Sequence, residues 1–316
     1  MKINELKKQM FNNEFNSTFA DIYYDDSEMI DYQKNRYINA LSKYENLFGD
    51  EDVEIYSAPG RTEVGGNHTD HQHGMVLAAS INLDAIAIVG KTTENTIELI
   101  SEGYDPISVS IEDLNVNEKD FGTTSSLIKG VLAGMKKEGY KIGPFKAYIT
   151  SDVINGAGLS SSSAAFEAII GTIISGMYNN MEVSSIEIAQ IGQYAENVFF
   201  GKPCGLMDQM ACSVGSFVHI NFKNPDSPIV EKVDFDVEKE GYSLCITDTK
   251  ASHADLTDDY AAIPAEMKEV AQYFNKEFLN EIPADDFYDK IPELYSAVSN
   301  RGLLRAIHFF GENARV

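Results

Sequence analysis

The sequence predicts an α+β fold, and three observations carry that reading. β-like apolar runs dominate from Val53 to Val153. Helical patterns are interleaved with them and take over toward the C-terminal end. No internal repeat, low-complexity tract or proline-rich linker divides the chain. The first fifty residues read as an irregular arm followed by a helix around Asp31–Leu47. "VEIYSAPG" reads as a short strand closed by Pro59-Gly60. "MVLAASINLDAIAIVG", "TIELISEG" and "FKAYITSDV" read as strands, because β-branched residues crowd between turn signals. "SLIKGVLAGMKKEGY" has helical spacing. Further helices are expected from about Ser160 to Met177 and near Ser185–Phe199. "GSFVHINF" and "YSLCITDT" return to strand, and helices follow from about Tyr260.

The 316 residues and 43% hydrophobic content are enough for a large core, in one big domain or two ordinary ones. The formal charge of −24 excludes nucleic acid and anionic membranes as main partners, since their phosphates would be repelled. It leaves room for a small phosphorylated ligand at one local positive site. Three cysteines build no disulfide framework. The first residues, "MKINELKKQMFNNEF", hold no apolar signal core, and no apolar run is long enough to span a bilayer. The expectation is a reduced, cytoplasmic protein. Oligomeric state leaves no mark on the sequence.

Three stretches concentrate chemistry. In "GAGLSSSSAAFEA", Gly156–Ala168, glycines run into serines and then into a helix start. Glycine permits close backbone approach. The first N–H groups of a helix lack intrahelical partners and carry partial positive charge. That order suits a phosphate, while the serine hydroxyls suit Mg²⁺, which favours oxygen ligands. The Walker A pattern is absent and the dinucleotide fingerprint is incomplete. The same serines would also serve a plain helix N-cap. "APGRTEVGGNHTDHQHG", Ala58–Gly74, packs Arg61, Asn67, His68, Asp70, His71 and Gln72 into one glycine-punctuated loop. Such density suits a sugar, whose hydroxyls each need a partner. It also fits a solvated polar loop, and less well a zinc site, as no cysteine is near. In "AENVFFGKPCGLMDQ", Ala195–Gln209, Glu196 and Asp208 suggest one acid for a metal and one for a reacting hydroxyl. Taken singly, each would be an ordinary surface carboxylate.

Together, in this order, the stretches resemble the galactokinases within the GHMP family of small-molecule kinases. The loop resembles the signature "GRxNxIGEHTDY", the serine run resembles the family's ATP loop, and "PCGLMDQ" resembles the segment carrying its catalytic aspartate. A fourth match runs through "CITDTKASHADLTDDYAA". The resemblance implies a two-domain α+β GHMP kinase fold. Residues 1–213 would form an N-terminal ribosomal-protein-S5-like domain with a left-handed β-α-β crossover, against the usual right-handed rule. Residues 214–316 would form an incomplete C-terminal α/β-sandwich domain. It implies ATP-dependent phosphorylation of the anomeric hydroxyl of galactose or a related sugar, with ATP and Mg²⁺ as cofactors. By match, Gly156, Ala157, Gly158, Leu159, Ser160, Ser161 and Ser162 would wrap the ATP phosphates, and Ser162 and Glu196 would hold Mg²⁺. Asp208 and Arg61 would be catalytic. Asn67, His68, Asp70, the Gly205 backbone and Tyr260 would bind the sugar.

Three departures stand out. Asn67 replaces the signature glutamate, which in galactokinases meets the C6 end of the sugar. Loss of that charge would tolerate a substrate carboxylate or a sugar lacking C6, so a galacturonate or arabinose kinase is a rival within the enzyme class; the run of four serines adds an N-acetylgalactosamine kinase, and a sugar and ATP sensor is the rival outside the class. Glu63 replaces the asparagine of "GRxN", putting an acid near a phosphate site unless it points away and pairs structurally. Finally, "RGLLRAIHFFGENARV" resembles a segment beyond which galactokinases continue, with a third glycine-rich motif, so a shortened chain is expected, with weak nucleotide binding and poor turnover.

Overall fold

The computed structural model describes residues 1–153, 162–237, 239–245, 247 and 257–316; of residues 162 and 257–261 it describes the backbone only. Three helices come first: α1 (Ile3–Phe11), α2 (Asn16–Tyr23) and α3 (Ser27–Phe48). The N-terminal stretch is thus helical and not an irregular arm. Ile3, Leu6 and Met10 recur at helical spacing and are all buried. Asp26 caps α3 by accepting from the amides of Glu28 and Met29.

Then come β1 (Val53–Gly65), β2 (Met75–Lys91), β3 (Thr96–Ser101), β4 (Ile107–Ser110), α4 (Thr124–Lys137), β5 (Phe145–Ser151), α5 (Ser162–Asn179), α6 (Ser185–Tyr194) and α7 (Met207–Val214). β6 (Phe217–Asn221), β7 (Ile229–Val233), α8 (Thr257–Tyr273), α9 (Ala284–Ala297) and α10 (Asn300–Arg315) complete the described elements. The strands form one sheet in the order β4-β3-β5-β2-β6-β7, with β1 on β2. The long strand β2 is its spine. It pairs with β1 along most of its length, with β6 through Met75–Ala79 and with β5 through Ala85–Lys91. β3 and β5 are the parallel pair, joined through β4 and α4.

β2 reads as a continuous apolar run because both faces of the sheet are covered. Ala85, Ala87 and Val89 pack into the core under α4, α5 and α6, while Ile86 and Ile88 pack under α1–α3. Arg36 of α3 fixes that second layer, its Nη1 2.6 Å from Asp84 Oδ1 and its Nη2 donating to the Asp84 carbonyl. Tyr23 Oη and Ser57 Oγ also donate to Asp84.

Two sequence expectations change here. β1 does not close at Pro59-Gly60 but continues to Gly65, with a register shift between Pro59 and Arg61. Over 242–245, part of "YSLCITDT", there is no strand. The helix near Ser185–Phe199 appears as α6 followed by a π-helical turn, Ala195–Phe200. Among the described residues, no helix is long and apolar enough to cross a membrane.

Candidate active site

The bulge in β1 sits beside Arg61, a common place for a strand to re-aim a side chain. Arg61 Nε donates to Asp208 Oδ1 at 2.8 Å. Asp208 lies in the first turn of α7, where a helix start favours a carboxylate. Burial works against the Arg61 charge, but Asp208 beside it outweighs that and raises its pKa. Two residues 147 apart in sequence thus form one half-buried ion pair.

Glu196 projects from the π-helical turn, which ends at Gly201 with φ of 78°. Its carboxylate is 1% exposed and accepts from Gln209 Nε2 at 2.7 Å, from Ser163 Oγ at 3.2 Å and from Lys202 Nζ at 3.3 Å. Gln209 Nε2 also donates to Glu167 Oε2, while Glu167 Oε1 is buried without a partner. Burial, and then the nearby Glu196, push the Glu167 carboxyl up to about 9. Two buried carboxyls therefore stand by the first turns of α5, one of them bonded to Ser163. Glu167 was legible only as the single acid in the apolar run "AAFEAIIGTII". Carboxylate and hydroxyl oxygens there, with one oxygen orphaned, are a donor set that fits Mg²⁺.

The β1–β2 loop adds a second group of polar side chains. Asn67 Nδ2 donates to Glu63 Oε2 at 3.0 Å. Glu63 thus does pair structurally, and its pKa is raised by burial and then by Asp70. The Asp70 carboxylate packs so closely on Gly205 that a Cβ there would overlap it, which accounts for the glycine. His68 has a left-handed backbone, φ 60°, and its ring stacks on His71. Burial lowers the His68 pKa. Cys204, next to Gly205, is a half-buried thiol whose pKa is raised by burial and then by Glu196.

Helix α10 braces this loop from outside. Asn313 Oδ1 accepts from the Met75 amide at 2.7 Å, Glu312 Oε2 accepts from the Gly66 amide, and His308 Nε2 donates to the Asn67 carbonyl at 2.9 Å. Gln72 Oε1 accepts from the Leu279 amide, and His73 stacks on Phe278 at 3.6 Å. Sequence reasoning left His308 without a role. These contacts are long-range and have no local pattern.

A cavity of about 400 Å³ opens between the ends of β3 and β5 and the starts of α4 and α5. Leu99, Tyr104, Leu127, Ile149, Phe166 and Phe200 give it a mainly apolar wall, and Val153 and Ser163 mark its edge. Its size and lining suit a flat heterocycle. No sequence motif announced it, because its residues read as ordinary core.

The structure therefore brings together Arg61, Asn67, His68, Asp70, Gly205, Asp208 and, behind Asp208, Glu196. Gly156, Ala157, Gly158, Leu159, Ser160 and Ser161 lie outside the described residues. Ser162 opens α5 and Tyr260 lies in α8, with their side chains also outside the description.

Residues 42–91 match the family model of the galactokinase galactose-binding signature, and residues 126–216 match that of the GHMP kinase N-terminal domain. A galactokinase from Clostridium tetani is 29% identical over 294 residues, 91% of this chain and 73% of the relative. One from Streptomyces coelicolor is 28% identical over 87% of this chain and 70% of the relative. Among solved structures, Lactococcus lactis galactokinase complexed with galactose superposes with a TM-score of 0.71 at 25% identity, covering 87% of this chain and 71% of that one. The Methanococcus jannaschii mevalonate kinase, at 17% identity and TM-score 0.51, shares the fold.

Proposed function

We propose, because the chain matches the galactokinase signature and the GHMP kinase N-terminal domain, that it transfers the γ-phosphoryl group of ATP to the anomeric hydroxyl of galactose. The observation that carries this reading is the Arg61–Asp208 pair, set between the β1–β2 loop and the start of α5. The sugar lies along the loop, with its hydroxyls on Asn67, His68, Asp70, the Gly205 backbone and Tyr260. Asp208 faces the anomeric oxygen and takes its proton or orients it. That oxygen bonds to the γ-phosphorus as the bond to the β,γ-bridging oxygen breaks, and ADP leaves. Arg61 sits where negative charge develops and stabilises it.

The nucleotide's base enters the apolar cavity by Leu127 and Phe166, and its phosphates reach Gly156–Ser162. Glu196 and Ser162 would hold Mg²⁺, which would neutralise phosphate charge. Lys202 is the cation now paired with Glu196 and can turn to the phosphates when a metal ion arrives, since its side chain is exposed. A cytoplasmic location suits a kinase that draws on ATP.

A coupled ADP-release assay on the 316-residue chain tests the proposal. Sugar-dependent ADP formation with galactose, dependent on Mg²⁺, is expected. Galactose binding without ADP release would favour a sensor instead.

A further inference from the structure

Resting on that reading, we propose that Glu63 and Asn67 act as a pair that admits a neutral sugar and rejects an anionic one such as a uronate. Asn67 Nδ2 lies 3.0 Å from Glu63 Oε2. A carboxylate only accepts, so this contact fixes the amide with its NH₂ toward Glu63. The carbonyl oxygen Oδ1 is the end left for a ligand. Position 67 therefore presents an acceptor, as a carboxylate would, and its partner must be a donor such as a hydroxyl.

The charges around the loop point the same way. Asp70, Asp208 and Arg61 are all felt at Glu63, so three carboxyls share this corner with one guanidinium. His68 is biased toward its neutral form by burial. Arg305 of α10, whose charge is felt at His68 beside those of His71 and His308, is tied to Glu266. A substrate carboxylate would meet acceptors and an excess of negative charge, whereas a neutral polyol offers each acceptor a proton.

The two departures from the signature are complementary. Asparagine and glutamate have exchanged places at 63 and 67, and the pair keeps both the amide–acid hydrogen bond and the acid. Loss of a glutamate at 67 alone would have removed that charge, but the exchange retains it.

The test uses the full chain and three sugars, galactose, arabinose and galacturonate, with kcat/KM from ADP release and affinity from calorimetry. Galacturonate is expected to fall at least about 100-fold below galactose by either readout, the size of effect like charges produce. Glu63→Gln keeps an acceptor for Asn67 and removes only the charge. It is expected to narrow that gap at least tenfold, with folding checked by thermal unfolding. The double variant Glu63→Asn, Asn67→Glu should keep the wild-type order. Galacturonate bound or turned over as well as galactose would overturn the proposal and leave the kinase reading standing. A folded Glu63→Gln chain with an unchanged ratio would overturn the role of Glu63. Sugar binding without ADP release would refute the kinase reading, and the calorimetric order would still decide the preference.

Discussion

Glu167 is the residue whose surroundings ask most of it. It is 1% exposed, one oxygen lacks a partner, and burial with Glu196 nearby holds its carboxyl protonated up to about 9. An unfolded chain would ionise it near 4.5, the ordinary value. Between those values the native state holds a proton that the unfolded state has lost, so stability falls as pH rises across the window. Each pH unit removes at most about 1.4 kcal/mol. Glu167→Gln deletes this titration. Urea unfolding at pH 5.5 and 8.5 is expected to show a smaller loss of stability in the variant than in the wild type. An equal loss would mean that Glu167 ionises normally in the fold. The acid was visible in the sequence as a charge in an apolar helix, but its partner Gln209 was not, because the contact spans 42 residues.

At the scale of elements, α10 decides how firmly the β1–β2 loop is held. Asn313, Glu312 and His308 meet the backbone at Met75, Gly66 and Asn67, the two ends of the loop. Gly74 lies so close to Asn313 and Phe309 that a Cβ would meet both. Asn313→Ala leaves the Met75 amide without its partner, which destabilises by about 1–3 kcal/mol. A loosened loop costs sugar binding more than nucleotide binding. The KM for galactose is expected to rise several-fold with the KM for ATP unchanged, and steady-state kinetics in both substrates check it. Motif spacing made Arg61, Asp70 and Asp208 legible, since each lies within a short signature. The brace was illegible because helix α10 shows only its own amphipathic pattern in sequence, not what it touches. The cavity by Leu127 and Phe166 was hidden for a related reason: lining residues and core residues share the same chemistry.

For the whole molecule, the sheet is covered on both faces, and the N-terminal helices supply the second cover. Arg36 and Asp84 pin that cover, with side chains 7% and 3% exposed. Removing one partner of a buried pair leaves the other charge uncompensated, at a cost of about 3–5 kcal/mol. Arg36→Met is therefore expected to lower stability by that order in chemical denaturation. Tyr23 and Ser57, which donate to the same Asp84, would soften the loss. The apolar run of β2 made the strand legible, while the cover on both its faces emerges only from the packing of helices distant in sequence. The reading of the first thirty residues as irregular failed because "MFNNEFN" interrupts two short helices that tertiary packing, and not propensity, holds in place.

The central claim is that Asp208, held by Arg61, works on the hydroxyl that receives the phosphoryl group. Asp208→Asn keeps the size of the side chain and removes its charge and basicity. Galactose affinity by calorimetry and ADP release by coupled assay, on the same preparation, test the claim most directly. Galactose binding within a few-fold of wild type, with turnover down by at least about 100-fold, is the expected result. A variant that binds galactose and still turns over at near wild-type rate would contradict it.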